Sequence, residues 1–129
     1  MSEEIEYLDL DDLVAAAEVA FGRDPEVRDW GLLESALARP RASVFGEDAY
    51  LGLNGKAAAL LHSLVTNHAL VDGNKRLGLV AVLLFYGMNG YDLTATEDER
   101  VDLILAIADG RLSEVEKIAK HLARWVVRL

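Results

Sequence analysis

The sequence predicts one all-α domain spanning residues 1–129, a compact six-helix bundle with at most a short β-flap. The chain has the length of one ordinary domain and no cysteine, so apolar packing, and not disulfides or cysteine-bound zinc, must hold it together. Apolar residues recur at helical spacing through most of the chain, while no stretch shows a convincing strand alternation. The longest apolar run, residues 77–88, contains two glycines and is too short to span a membrane, which predicts a buried helix.

The overall charge is acidic and limits the classes of partner. With 13 Lys and Arg against 22 Asp and Glu, the formal charge is -9, which repels nucleic acid and argues against direct DNA or RNA binding. The N-terminal stretch is acidic where a secretory signal is basic and then apolar, so we expect no export. Because the absence of cysteine also suits a reducing compartment, the expected location is the cytoplasm.

The first two helices are predicted from apolar spacing and from residues that end helices. The first helix, residues 10–21, ends at Gly22, and its apolar positions recur at helical spacing: Leu10, Leu13, Val14, Ala17 and Phe21. The second helix, residues 30–39, has Asp29 as its cap and ends before Pro40, since the residue before a proline avoids helical dihedrals.

The middle of the chain is predicted to hold a short flap and two long helices. Residues 40–53 lack a helical period and could form two short strands. Asn54 is expected to cap a helix over residues 55–68, with His68 at its end and facing the core. The helix over residues 75–89 is apolar on nearly all faces, as a central buried helix would be.

Two capping boxes predict the last two helices. Thr96 is followed by Glu99, and Ser113 is followed by Glu116, so that a hydroxyl and a carboxylate can each satisfy an open backbone donor. The first of these helices should run to about Asp109. The second should present one apolar face made of Val115, Ile118, Ala119, Leu122, Trp125 and Val126.

The junction between the two long apolar helices carries the stretch HALVDGNKR, residues 68–76. If a helix begins near Asn74 or Lys75, its first-turn N–H groups have no helical partner and can bind an anion. Gly73 permits dihedrals closed to other residues and a close approach of a ligand. Lys75 and Arg76 add full positive charges, and the arginine suits a forked contact with phosphate oxygens.

Two further residues of this stretch have the chemistry of group transfer. Asp72 is a hard oxygen ligand, and magnesium typically takes one or two carboxylates while phosphates and water supply the rest. His68 can accept a proton from a hydroxyl near neutral pH. A base, a metal carboxylate and a phosphate cradle together predict phosphoryl or nucleotidyl transfer.

Each residue of the stretch also has an ordinary structural interpretation. Asp72, Gly73 and Asn74 make a good turn with a helix cap, and His68 could be a core histidine bonded to a carbonyl. However, two adjacent cations at the start of a helix oppose the macrodipole, which favours acids there. Taken together, the residues therefore favour an anion site over a simple capped turn.

Other polar residues give weaker signals. The stretch GLNGK, residues 52–56, lacks the spacing of a phosphate-binding loop and is not followed by a hydroxyl residue. His62 and His121 lie on the flanks of amphipathic helices and are interpreted as bystanders. Arg39 and Arg41 are interpreted as ordinary surface charges beside the flap.

HALVDGNKR, followed by LGLVAVLLFYGMNGYDL, resembles the motif of the Fic/Doc family. The Fic branch is typified by H-P-F-x-D-G-N-G-R and the branch of the Doc (death-on-curing) toxins by H-x-F-x-D-A-N-K-R. This chain has the lysine of the Doc branch at Lys75 and the glycine of the Fic branch at Gly73. The short length, GLLESALARP upstream and the final helical pair are also similar to Doc proteins.

The resemblance implies a compact Fic/Doc-like fold whose motif loop binds a nucleotide. In the Doc branch a lysine goes with transfer of the γ-phosphate, whereas a glycine there goes with AMP transfer. Lys75 therefore implies a protein serine/threonine kinase using ATP and Mg²⁺, with elongation factor Tu as the usual target, so that translation and growth stop. By position, His68 would be the base and Asp72 the magnesium ligand, and the phosphate contacts would be Gly73, Asn74, Lys75 and Arg76.

The resemblance also implies a partner. Doc toxins are held inactive by an antitoxin, here expected to be Phd-like, whose C-terminal segment folds as a helix in a groove of the toxin. Departures from the family pattern include Leu70 in place of phenylalanine and Val80 where Doc proteins can carry a polar residue. These two residues keep open an inert module that binds nucleotide or peptide, and a Fic-type AMP-transferase is the other alternative.

Overall fold

The computed structural model describes residues 4–129 and confirms a mainly helical fold. The helices are α1 Leu10–Phe21, α2 Trp30–Ala38, α3 Gly52–Thr66, α4 Asn74–Met88, α5 Glu97–Ala108 and α6 Val115–Trp125. A 3₁₀ turn, Arg39–Arg41, follows α2. Two antiparallel pairs are formed by the short strands β1 Ser43–Val44 with β2 Glu47–Asp48, and β3 Tyr91–Leu93 with β4 Val126–Arg128. The first pair is the predicted flap.

The core lies around α3, which packs against α2, α4, α5 and α6. Its run of small and branched apolar residues lets these neighbours approach from several sides, and residues 56–61 are all buried. The helix predicted to be buried on nearly all faces, α4, has an exposed edge instead, with Leu84 38% and Met88 37% exposed. Within the described residues, no helix combines the length and the hydropathy that crossing a membrane requires.

Two of the predicted helix caps, Asp29 and Thr96, are confirmed, and a further cap, Asp9, was not predicted. Asp9 accepts from the backbone N–H of Asp12 at 2.8 Å while the Asp12 carboxylate accepts from that of Asp9, so α1 begins with a reciprocal capping box. Asp29 caps α2 by accepting from the third residue of that helix at 3.2 Å. Thr96 and Glu99 form the predicted box at the start of α5, with distances of 2.9 and 3.1 Å.

Two predicted helix starts are wrong. The third helix begins at Gly52 without a side-chain cap, and Asn54 lies inside it, where its amide oxygen accepts a 2.8 Å hydrogen bond from the hydroxyl of Tyr86. The last helix has Glu114 as its N-cap, one residue after Ser113, so the predicted box does not form. At the third helix, the contact between Asn54 and Tyr86 takes the place of the predicted cap.

The pair of strands β3 and β4 was not expected from the sequence. Val126 was predicted to lie on the apolar face of the last helix, but the chain leaves the helix at Trp125 and Val126 pairs with Leu93. The pairing is extended by a 2.7 Å hydrogen bond from the N–H of Thr94 to the carbonyl of Trp125. Strands of three residues are too short to show an alternating pattern, which explains why they were missed.

The turn after α4 fastens both ends of the described chain. The amide of Asn89 accepts from the N–H of Glu6 at 2.8 Å and donates to its carbonyl at 2.9 Å. The N–H of Leu129 donates to the carbonyl of Gly90 at 2.9 Å. One short turn thus contacts both Glu6 and Leu129, which lie near opposite ends of the described chain.

Two cations, Lys56 and Arg39, form hydrogen bonds to residues in the flap or next to it, and we call them the flap anchor. Lys56 is only 2% exposed, and its ammonium donates to the carbonyls of Pro40 and Tyr50 at 3.3 and 2.9 Å and to the carboxylate of Asp48 at 3.2 Å. All three of its N–H donors are therefore occupied. Because Lys56 is buried, the stretch GLNGK does not offer its lysine to a phosphate, in agreement with the prediction.

Arg39 corrects a prediction, since it is not a surface charge. Its guanidinium donates to the hydroxyl of Tyr50 at 2.8 Å, to Nδ1 of His62 at 2.9 Å and to the hydroxyl of Ser63 at 3.0 Å. Burial, and then the charge of Arg39, lower the pKa of His62 below its ordinary value. Arg41 is exposed as predicted, with its guanidinium 4.7 Å from the ring centre of Tyr7.

Candidate active site

The loop between α3 and α4 is held by the segment that precedes α2. The carbonyl of Ala69 accepts from the backbone N–H groups of Arg28 and Asp29 at 2.8 and 3.0 Å. The N–H of Val71 donates to the carbonyl of Glu26 at 3.0 Å. These bonds fix the backbone of the loop between two helices that are themselves packed in the core.

Asn74 fixes the same loop from the other side. Its amide oxygen accepts from the N–H of Leu70 and its amide nitrogen donates to the carbonyl of Leu70, both at 3.0 Å. The Leu70 side chain is buried, so leucine serves here as the apolar anchor of the loop. Because the side chain of Asn74 is used within the loop, its free backbone N–H is the group best placed to contact a phosphate.

The first turn of α4 is open, as the sequence predicted. Gly73 is the N-cap, with φ 90°, and no side chain caps the helix. The first backbone bond of the helix runs from the N–H of Leu77 to the carbonyl of Gly73 at 2.8 Å. The N–H groups of residues 74–76 therefore have no helical partner, and the first turn carries no acidic residue to compete with an anion.

Gly73 is required by its surroundings. A Cβ at this position would lie 2.7 Å from Cζ of Phe21, closer than real contacts allow, and φ 90° already disfavours any residue but glycine. The same Phe21 ring lies under the guanidinium of Arg76, 5.8 Å from its centre. The last residue of α1 thus sets the shape of the motif loop.

An open cleft of about 390 Å³ lies at the start of α4, and we call it the phosphate cleft. It brings together most of the predicted site with two residues that the sequence analysis missed. Phe21 had been assigned only to a helix face, and Arg23 follows α1 without any motif, so no local pattern could have identified them. The lining residues are Phe21, Arg23, Val71, Asp72, Gly73, Asn74, Lys75 and Arg76.

The cations of the phosphate cleft are exposed. Among the described residues, neither Lys75 nor Arg76 forms an ion pair, and Lys75 has no hydrogen bond either. Arg23 has one exposed carboxylate partner, Glu26, at 3.4 Å. In a chain with a formal charge of -9, such a group of cations beside an open helix start suits a multiply charged anion.

The position of His68 also corrects a prediction. The third helix ends at Thr66, and His68 lies in the following loop with φ 55°, exposed and not facing the core. It does not line the phosphate cleft but lies at the other end of the loop. Its carbonyl accepts a hydrogen bond from the guanidinium of Arg28. Because it is exposed, the imidazole of His68 is accessible to a substrate.

The surroundings of Asp72 decide whether it can serve as a magnesium ligand. It is exposed, and one carboxylate oxygen accepts from the N–H of Gly73 at 2.9 Å, which leaves the second oxygen available. Throughout residues 4–129, no three His, Asp or Glu side chains are grouped to hold a metal. The second oxygen of Asp72 could contribute one carboxylate ligand to a magnesium ion whose other ligands come from phosphates and water.

Comparison with known proteins agrees with the motif and the fold. A sequence model of the Fic/DOC family matches residues 7–86, which include α1 to α3, the motif loop and most of α4. The chain belongs to the Fic/Doc family. The chain is also 48% identical to Toxin Doc of Mycolicibacterium smegmatis over 119 residues, 92% of the length of each protein. This Fic/Doc protein is therefore of the Doc toxin type, as the resemblance had implied.

Proposed function

We propose that this Fic/Doc protein is a toxin kinase that transfers the γ-phosphate of ATP to a serine or threonine hydroxyl of elongation factor Tu. The observation that carries the proposal is the open start of α4, where unpartnered N–H groups meet the unpaired cations Lys75 and Arg76 in one cleft. Donors of this kind stabilise the negative charge of phosphate oxygens. The full-length similarity to a Doc toxin supports the proposal.

The protein supplies positioning and proton transfer in this reaction. The target hydroxyl oxygen attacks the γ-phosphorus, His68 accepts the hydroxyl proton, and the bond to the β-phosphate oxygen breaks to release ADP. The imidazole is exposed and has no hydrogen bond to another described residue, so it is available for that proton. Magnesium, held by Asp72 and the phosphates, would neutralise part of their charge.

Lys75 favours phosphate transfer over AMP transfer. Its exposed side chain lines the cleft, where a glycine would leave space for the α- and β-phosphates. Gly73, the residue shared with the Fic branch, does not argue for AMP transfer, because the close approach of Phe21 already explains it. The inert binding module is weakened because buried Leu70 keeps the loop anchored.

The experiment that tests the proposal supplies elongation factor Tu with ATP labelled at either the α- or the γ-phosphate. We expect label from the γ position only, and His68→Ala should reduce transfer about a hundredfold or more. Lys117→Ala, an exposed substitution on α6, is the matched control and should leave transfer unchanged. Transfer from the α position alone would establish the AMP-transferase instead, and absence of both labels with intact nucleotide binding would favour the inert module.

A toxin of this type requires an antitoxin, and we propose a Phd-like partner whose C-terminal segment folds as a helix on this chain. Action on elongation factor Tu places the protein in the cytoplasm. We expect a small antitoxin-like reading frame beside this gene, and its co-expression should restore growth that this chain alone arrests. Growth arrest that no neighbouring frame relieves would contradict the partner.

A further inference from the structure

We infer that Arg28, which lies outside the motif, is a positioning residue that holds His68 in the orientation needed to accept the substrate proton; this rests on the proposed function. Arg28 precedes α2, and His68 follows α3, 40 residues later in the chain. The guanidinium of Arg28 donates to the backbone carbonyl of His68.

The backbone of His68 needs such support. Its φ of 55° lies in the left-handed region, which residues with a Cβ adopt infrequently and at some cost in energy. Among the described residues, the imidazole itself has no hydrogen-bond or ring partner. The position of the ring is therefore set through the backbone, and Arg28 provides the one side-chain bond to His68 in the described part of the chain.

Arg28 is itself well anchored at its backbone. Its N–H and that of Asp29 both donate to the carbonyl of Ala69, and the Asp29 side chain caps α2. This helix is fixed in the core by Leu33, Ala36 and Leu37. The guanidinium of Arg28 thus extends from a well-anchored backbone to the carbonyl of His68, which directly precedes Ala69.

The charge of Arg28 is not used in an ion pair. Although Glu26 and Asp29 are close in sequence, no carboxylate among residues 4–129 pairs with its guanidinium. A bond from a charged donor to a carbonyl is stronger than a neutral one. Arg28 therefore fixes the backbone of His68 and leaves the imidazole accessible to the substrate.

Kinetics separate a positioning role from a general structural one. Arg28→Ala should lower kcat by about tenfold to a hundredfold, since small misplacement of a reacting group has effects of that size, while KM for ATP stays unchanged. Arg28→Lys should recover part of kcat, and free guanidinium ion should restore part of it to Arg28→Ala. The control, Arg111→Ala, removes an equally exposed charge beside Asp109 and should change neither value.

A second measurement does not depend on activity. The chain has three histidines, so ring signals of His68, His62 and His121 can be resolved by NMR after selective labelling. In Arg28→Ala the His68 signal should shift or broaden while the other two stay in place. An unchanged His68 signal would overturn the inference, and so would an Arg28→Ala variant whose KM for ATP rises while its kcat stays the same. If the parent protein transfers no label, the proposed function fails, and the NMR result still decides whether Arg28 holds His68.

Discussion

The flap anchor and the phosphate cleft use the same kinds of residue in opposite ways. In the flap anchor, Lys56 and Arg39 are surrounded by oxygen and nitrogen acceptors within 3.3 Å. In the phosphate cleft, Lys75 and Arg76 are exposed and have no acceptor among the described residues. A cation whose hydrogen bonds are all made within the protein stabilises the fold. A cation without acceptors at an open helix start lowers the stability of the helix, so its presence there indicates a ligand.

The largest expected effect breaks the flap anchor. Lys56→Met removes the donor of two carbonyls that are shielded by the flap, and we expect the free energy of unfolding to fall by about 2–4 kcal/mol. Urea denaturation measures this change. Lys117→Met, which breaks an exposed pair with Glu114 at 3.6 Å, is the control and should change stability little. Equal effects of the two substitutions would mean that burial does not distinguish the anchor.

The next effect concerns the phosphate cleft and has opposite signs for activity and stability. Lys75→Ala should reduce phosphate transfer on the order of a hundredfold. It should also raise the free energy of unfolding by about 0.3–1 kcal/mol, because it removes a positive charge from a helix N-terminus. Labelled-ATP transfer and urea denaturation measure the two effects. A loss of both activity and stability would place Lys75 with the structural cations.

A smaller effect separates the two constraints on Gly73. Gly73→Ala should lower the free energy of unfolding by about 1–2 kcal/mol from the left-handed backbone alone, with an added cost from the contact with Phe21. Gly90→Ala is the matched control, since Gly90 has φ 87° and nothing within 4 Å of a Cβ. In a Phe21→Leu background, Gly73→Ala should keep the backbone cost and lose only the added cost of the contact with the ring. If Gly73→Ala and Gly90→Ala have the same effect, the ring imposes no constraint.

The smallest effect returns to the flap anchor and depends on pH. Burial and then Arg39 lower the pKa of His62 in the folded state below its unfolded value of 6.5. The unfolded chain therefore takes up this proton first, so stability falls as pH decreases through 6.5 toward the folded pKa and no longer depends on His62 well above 6.5. Denaturation of the parent and of His62→Gln should give curves whose slopes differ from the region of 6.5 downward. A difference in slope that persists well above 6.5, where His62 is neutral in both states, would contradict the assignment.

Much of the fold could be predicted because its signals are local. The first helix, the caps Asp29 and Thr96, and the junction that carries the motif all depend on residues within one or two turns of each other. The pairing of Leu93 with Val126 could not be predicted, since neither three-residue strand has a pattern of its own. The start of α3 was also missed, because its nearest polar residue, Asn54, binds Tyr86 instead of capping.

The candidate site divides in the same way. Residues 72–76 are contiguous, so the sequence identified them together. Phe21 and Arg23 reach the same cleft from the end of α1, and only packing brings them there. The predicted position of His68 was wrong because helical periodicity was extended two residues beyond Thr66, where the helix ends. Periodicity predicts which face a helix buries, but it does not predict the dihedrals of the residue that leaves it.

The bonds of Asn89 and Gly90 bring the two ends of the described chain to one turn. A short flexible linker could therefore join those ends, and the chain could be reopened at the exposed turn between α5 and α6. Such a circular permutant would keep α3, the motif loop and α4 in one uninterrupted segment. The half of the molecule that carries the motif could then be inserted into a host protein as a unit, with its attachment points far along the chain from the motif.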